Sequence, residues 1–409
     1  MKTILSLTVF FLVLFGSCKK SVDQPYTLKF YGDAYVDIAY SAAIVSDGYV
    51  IAGQLEMVTR TGVSIPTTNK NMGIIKTGWD GNEIWKVSAG GKFDDMGSKI
   101  YQLDDGSLIC VGTLTDTTTT TAVQTDVFAV KVSATGSIEW QKAYGGAGNQ
   151  TGIDVVKTSD GFAILGSTDA GSSTSSDSTG NISGNTNILL LKIKENGDTI
   201  GKFSYGYAGN DIGKVIKVDR DGNFVIFGTT DKSDPGQDNN NLLIIRVNSL
   251  GYVLGQKILG GIEDEYAGDM EVLPDGYLLA YNVGKEGDNQ EIYVEKLKVN
   301  IYDTPYFTNK ITITNPNSTD NSAAVYAISK YKTDSYLLAG RSGKSTSSDM
   351  LIFEIDASGN LVAGHQMIKG STGEQVAYDV VSGDDEYIIA VGKNSYDVNS
   401  MITFLKFRF

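Results

Sequence analysis

A chain of 409 residues with 41% hydrophobic and 20% charged content, 47 glycines and only 6 prolines has the composition of a globular protein with many tight turns, not of a disordered polymer. Its net charge of −14 excludes the basic face that a phosphate backbone requires, so no nucleic-acid partner is expected.

The chain opens on a secretory pattern. Lys2 precedes an apolar run, Ile4 to Phe15, broken only by Ser6 and Thr8, and the small residues Gly16 and Ser17 precede Cys18. Residues 1–17 read as a signal peptide, because the run falls short of the ~20 residues that span a bilayer. Leu14-Phe15-Gly16-Ser17-Cys18 resembles the lipobox of bacterial lipoproteins, with Phe15 where Leu is usual. That resemblance implies a lipidated, palmitate-bearing Cys18 at the mature N-terminus. Lys19-Lys20 does not look like the Asp-type retention signal of the inner membrane, which points to the bacterial outer membrane, with residues 18–26 as lipidated Cys and short tether. Cys110 then has no cysteine partner, and within the apolar run Ser107 to Val111 it reads as a small buried hydrophobe.

From residue 27 onward the chain repeats. A turn pair, an apolar run and Gly recur at Asp47-Gly48 to Gly53, Asp105-Gly106 to Gly112, Asp160-Gly161 to Gly166, Asp221-Gly222 to Gly228 and Asp275-Gly276 to Tyr281. Two degenerate copies follow at Asp334-Ser335 to Gly340 and Asp385-Glu386 to Gly392, with spacings of 58, 55, 61, 54, 59 and 51 residues. Four short strand signals surround each anchor; in the second unit they are Lys99 to Leu103, Leu108 to Gly112, Val127 to Val132 and Ile138 to Tyr144. Four antiparallel strands in each of seven units predict an all-β fold, a seven-bladed β-propeller over residues 27–409. The chain ends on a third strand, Met401 to Phe409, and residues 27–32 look like a fourth, so the N-terminal strand is expected to complete the last blade and remove an open edge.

Counting back nine residues from the second turn residue lands on Ala39, Gly97, Gly152, Gly213, Ala267, Tyr326 and Ala377. Small residues there suggest crowding where innermost strands converge on the axis. Two residues earlier stands a polar series, Asp37, Asp95, Gln150, Asp211, Glu265 and Gln375, expected at the channel mouth on the face with the long connections. A cation or polar ligand is one reading of this ring; Asp and Gln that cap strands and bond local backbone is the reading the residue types favour. The long connections, Gln54 to Asn71, Thr113 to Thr125, Ser167 to Asn187 and Thr229 to Asn241, are rich in Ser, Thr, Asn and Gly. Asp231, Asp234, Asp238 and Asn239 to Asn241 make the densest oxygen-rich loop, yet they lack the calcium-loop spacing, so no cofactor is expected and Ca²⁺ has only this candidate.

His365 is the single histidine, so triads, histidine metal clusters and histidine acid/base pairs have at most one candidate; within Leu361 to Ile368 it reads as a strand residue, and no catalytic residue is assigned. Trp85 and Trp140 recur at one register early in the fourth strand, which points to blade packing over a sugar platform.

The segment Val132-Ser133-Ala134-Thr135-Gly136-Ser137-Ile138-Glu139-Trp140, with the earlier Asp-Gly-apolar-Gly element, resembles repeats of large bacterial propeller lipoproteins of quinoprotein-like or kelch-like type. It looks like the Thr-Gly-x-x-x-Trp turn of quinoprotein propellers, a group that includes the propeller lipoprotein of the outer-membrane barrel-assembly machinery. Those propellers typically have eight blades, and the motif specifies a blade rather than a task. Together these readings lead to the expectation of a non-enzymatic, outer-membrane-anchored lipoprotein that serves as a protein-binding scaffold in an assembly or transport complex. The alternatives are a glycan- or polysaccharide-binding propeller and a carboxylate-based carbohydrate-active enzyme.

Overall fold

A computed structural model describes residues 26–32, 36–59, 67–116, 124–169, 186–207, 209–232, 239–315, 320–383, 385–396 and 399–409. The expected signal peptide, Cys18 and most of the tether lie outside these residues, as do Asp234 and Asp238. The described residues hold 28 strands, which pair antiparallel in sets of four ordered along the chain from the axis outward. The first set is Ile38–Val45, Gly48–Thr59, Thr67–Thr77 and Glu83–Ala89, and the next four occupy residues 96–144, 150–205, 211–259 and 265–311. The remaining eight strands form one sheet made of two such sets, 323–369 and 374–407 with the N-terminal strand, linked by a lone parallel bridge between Ser348 and Glu374. The final set has three strands of its own. Its fourth is Thr27–Tyr31, which runs antiparallel to Asn399–Phe407 with Thr27 opposite Lys406 and Tyr31 opposite Ile402.

Seven apolar clusters hold this arrangement, each filling the space between two neighbouring blades. Between blades two and three Ile109 and Val127 meet Phe162 and Leu189; between seven and one Ile389 and Phe404 meet Ala39 and Ile51. A middle strand is therefore apolar on both faces, as Asn187–Ile193 illustrates, with every residue buried. Each large side chain so buried stabilises the fold by about 1.5–3 kcal/mol relative to exposure.

The repeat motif has a local cause. In every blade the pairing of the inner strand with the second slips by one residue, after Ala39, Gly97, Gly152, Gly213, Ala267, Val325 and Ala377. This β-bulge drives an inner-strand carbonyl toward the second strand. A Cβ on Gly53, Gly112 or Gly340 would lie 1.9, 1.9 and 1.8 Å from the carbonyls of Ile38, Met96 and Ala324, so in these blades the glycine that closes the apolar run leaves room for the bulge, whereas blade five carries Tyr281 there.

Three expectations are corrected here. The sixth small position is Val325, not Tyr326, because that blade carries an additional slip between Lys330 and Lys332 that displaces the count by one. Nor does the small series record crowding at the axis: a Cβ on Gly97 would meet Met72, Cys110 and the Gly53 carbonyl, and one on Gly213 would meet Leu165. Smallness there lets one blade abut its predecessor. The long connections are also shorter than read, since strands continue to Thr59 and resume at Thr67 in blade one, and reach Asp116 and resume at Gln124 in blade two. Threonine-rich segments sustain strand pairing there.

Candidate functional site

The polar series Asp37, Asp95, Gln150, Asp211, Glu265 and Gln375 is buried at the start of the inner strand in six of the blades, all but the sixth. Asp95 accepts from the Gly91 and Thr115 amides at 2.6 and 2.7 Å, Asp37 from the Glu56 amide at 2.7 Å, and Asp211 from the Tyr207 amide at 2.5 Å. Glu265 accepts from the Gly261 amide at 2.9 Å and Gln375 from Ser371 at 2.8 Å, while Gln150 donates to the Ala147 carbonyl at 2.8 Å. Burial raises the acid pKa at Asp95 and Asp211, and lifts Glu265 to about 7 with Asp264 and Glu263 adding to it. None of the six lines the channel cavity. Asp231, from the oxygen-rich loop, accepts from both the amide and the side-chain nitrogen of Asn210 at 2.7 and 2.8 Å. Among the described residues no three His, Cys, Asp or Glu side chains group as metal ligands.

The channel itself is lined by the residues that follow the small positions. The bulge projects Tyr40, Ser98, Ile153, Lys214, Tyr326 and Tyr378 into a cavity of about 360 Å³, with Gly268 at the equivalent position of blade five. One residue further stand Ser41, Lys99, Asp154, Asp269 and Asp379. These act as staples between blades. Asp154 accepts from the Ile216 amide of the next blade at 2.9 Å, Asp269 from Ile328 at 2.9 Å, and Asp379 from Ala42 at 3.0 Å. Each also accepts from the amide that follows it, at 2.8, 2.7 and 3.0 Å.

Asp379 additionally receives Ser41 Oγ at 3.0 Å and Lys99 Nζ at 3.2 Å. Burial pulls the Lys99 pKa down, but the Asp379, Asp154 and Asp269 carboxylates outweigh it and hold the pKa above the usual lysine range. Lys217, 3.7 Å from Glu271, is raised in the same balance. Lys214 differs: exposed to the channel yet ringed by protein, it makes no hydrogen bond or ion pair among the described residues, and burial pulls its pKa down. Across the channel Tyr40, Tyr378 and Tyr326 form a continuous wall, with ring centroids 5.3 and 5.5 Å apart. Sequence reading missed this set because the bulge reverses which residues face the axis.

A third feature lies on the rim. The turn between third and fourth strands has one geometry in five blades, closed by an amide-to-carbonyl bond over four residues: Gly78 to Asn82, Ser133 to Ser137, Lys194 to Asp198, Asn248 to Tyr252 and Asp356 to Asn360. Where the other four carry Asp80, Thr135, Asn196 and Ser358, blade four carries Leu250, and where they close on Asn82, Ser137, Asp198 and Asn360 it closes on Tyr252. Leu250 is 66% exposed, Tyr252 56%, Leu254 51% and the neighbouring Tyr302 62%. Tyr302 extends from blade five and its hydroxyl accepts from the Gln256 amide at 3.1 Å.

The remaining candidates take structural places. His365 lies in strand Leu361–Lys369, bonds buried Glu354 through Nδ1 and stacks on Phe409 at 4.9 Å. Trp140 donates to the Glu195 carbonyl of the next blade at 3.2 Å, and a Cβ on Gly136 of the next blade would meet the Trp85 ring. Cys110 is fully buried, which raises its thiol pKa.

The sequence matches no protein-family model and no curated protein. The fold is similar to that of the Neurospora crassa Pan2 WD40 domain, with a TM-score of 0.51 at 11% identity over 90% of this chain and 88% of that one. It is also similar to a puromycin hydrolase, at 0.48 and 12% over 87% of this chain and 50% of that one. A Trypanosoma rangeli sialidase in complex with 2,3-difluorosialic acid follows at 0.46 and 10%, over 87% and 59%. The likeness to the Pan2 domain speaks to a β-propeller fold alone, which stands for this chain. The expectation of a non-enzymatic protein is not kept: the similar structures include a puromycin hydrolase and a sialidase, and a fold by itself decides neither for nor against catalysis.

Proposed function

We propose that the chain is a lipid-anchored outer-membrane scaffold that holds a partner protein on the apolar turn of blade four. The observation that carries this reading is the replacement of polar turn residues by Leu250 and Tyr252 at positions where four equivalent turns stay polar. Leu254, two residues further along the strand, and Tyr302, bonded to the Gln256 amide, add exposed aliphatic and aromatic side chains to this end of the blade, the composition of an interface centre. Such a patch on a soluble rim lowers solubility unless covered. Lipid on Cys18, a tether ending at residue 26 and a propeller that starts at Thr27 hold this rim near the membrane, which suits a partner in an outer-membrane assembly or transport complex.

The test is co-purification from gently solubilised membranes, comparing the native chain with Leu250→Ser/Tyr252→Ser/Leu254→Ser. All three side chains are more than half exposed, so the variant is expected to keep its unfolding midpoint while a protein recovered with the native chain is lost. Recovery of the native chain alone under several detergents overturns the proposal.

A further inference from the structure

The central channel holds a set of groups that the partner-binding rim does not use. Its lining carries three lysines, Lys99, Lys214 and Lys217, against three aspartates, Asp154, Asp269 and Asp379. The aspartates are already occupied: each accepts two backbone amides, and Asp379 also accepts Ser41 and Lys99. Lys99 is taken by Asp379 and Lys217 by Glu271. Among the described residues one channel ammonium is left without a hydrogen bond or ion pair, that of Lys214, and the bulge in blade four aims it into the cavity. Opposite it, blades six, seven and one supply Tyr326, Tyr378 and Tyr40. The Tyr326 hydroxyl accepts from Arg341 Nε at 3.1 Å, whereas those of Tyr40 and Tyr378 have no hydrogen-bond partner among the described residues.

We infer that this cavity binds a small ring-bearing monocarboxylate, its carboxylate on the Lys214 ammonium and its ring against the tyrosine wall. The sign of the ligand follows from pairing: each aspartate already has a partner on both oxygens, whereas among the described residues the Lys214 ammonium has none. A single negative charge is the most the site admits, because Lys99, Lys214 and Lys217 already face Asp154, Asp269, Asp379 and Glu271, and a dianion would meet carboxylates on several sides. A ring follows from three adjacent tyrosines, which offer flat apolar area with two free hydroxyls at its edge. A volume of about 360 Å³ suits a molecule of one or two rings. This site is independent of the blade-four rim, and either reading stands if the other fails.

The experiment is calorimetric titration of the full chain in detergent with benzoate and with glucuronate, each beside its neutral amide. These two acids separate an aromatic from a sugar ring on the same carboxylate chemistry. At least one acid is expected to bind, about tenfold or more tighter than its amide, which is about 1.4 kcal/mol. Lys214→Met is expected to weaken that acid by about tenfold or more, and Lys214→Arg, which keeps the charge, to stay within about threefold of the native chain. Absence of binding by both acids at about 10 mM, equal binding of acid and amide, or an unchanged constant in a folded Lys214→Met each overturns the inference. The comparison of acid with amide needs only the native chain, so the outcome does not depend on the variants folding.

Discussion

Glu265 sits where Gln150 and Gln375 stand in blades three and seven, and that substitution of amide by acid has a measurable consequence. Its folded-state pKa, raised by burial to about 7, lies above its ordinary 4.5, so the fold prefers the protonated form. The contribution is fully present below about pH 4.5 and is lost as pH rises through 7. Glu265→Gln is therefore expected to match the native chain at pH 4.5 and to exceed it at pH 8, by about 1–3 kcal/mol in urea unfolding. Equal stability at pH 8 contradicts the assignment. Asp379 gives the opposite test. Its removal leaves the Ala42 and Val380 amides of blades one and seven and the Lys99 ammonium of blade two unsatisfied, so Asp379→Ala is expected to destabilise by about 2–4 kcal/mol. Lys99→Met is milder, because the ammonium is one-third exposed and the carboxylate keeps its amide partners. At this scale the polar series Asp37 to Gln375 was legible, since it recurs at a fixed offset from the turn. The channel residues were not: a one-residue bulge is invisible to a pattern of alternation, and it turns Tyr40 and Lys214 to the axis while Ala39 and Gly213 face the neighbouring blade.

Strands were the easiest elements to read, because each short apolar run ends in a turn with its own chemistry. The second unit's fourth strand, Ile138–Tyr144, coincides with its expected bounds. Ends facing the long connections were harder, since Thr113 to Asp116 and Gln124 to Asp126 look like loop by composition yet extend the pairing. The N-terminal strand is the element on which the last blade depends. Beyond its pairing with Asn399–Phe407, the Tyr31 hydroxyl donates to the Gly81 carbonyl of blade one at 2.6 Å. The same bond recurs from Tyr144 to Gly197 and from Tyr205 to Gly251, at 2.7 and 2.8 Å. Tyr31→Phe is expected to lower stability by about 1 kcal/mol, the net worth of one hydrogen bond. Deleting residues 27–31 exposes the edge of Asn399–Phe407, so the melting temperature should drop further and light scattering should rise on heating. A deletion variant that melts like the full chain would show that this strand does not hold the last blade.

As a whole, the molecule is a ring of blades whose neighbours share one apolar cluster each, and that architecture followed from repeat length and strand number alone. The apolar turn of blade four was less legible, because Ser249-Leu250-Gly251-Tyr252 gives the same backbone as its polar counterparts and differs only in what it exposes. The comparison that singles it out requires superposing five turns, not reading one. If the chain is a membrane-held scaffold, Cys18→Ala should release it from the membrane fraction while leaving the propeller's melting temperature unchanged, as a fractionation and thermal scan would record. The partner claim is tested most directly by a photo-crosslinking residue at Tyr252, with the same residue at the equivalent Ser137 as reference, irradiated in intact cells. A discrete crosslinked band at position 252 that is absent at 137 is the predicted result; crosslinking at neither position, or equally at both, contradicts it.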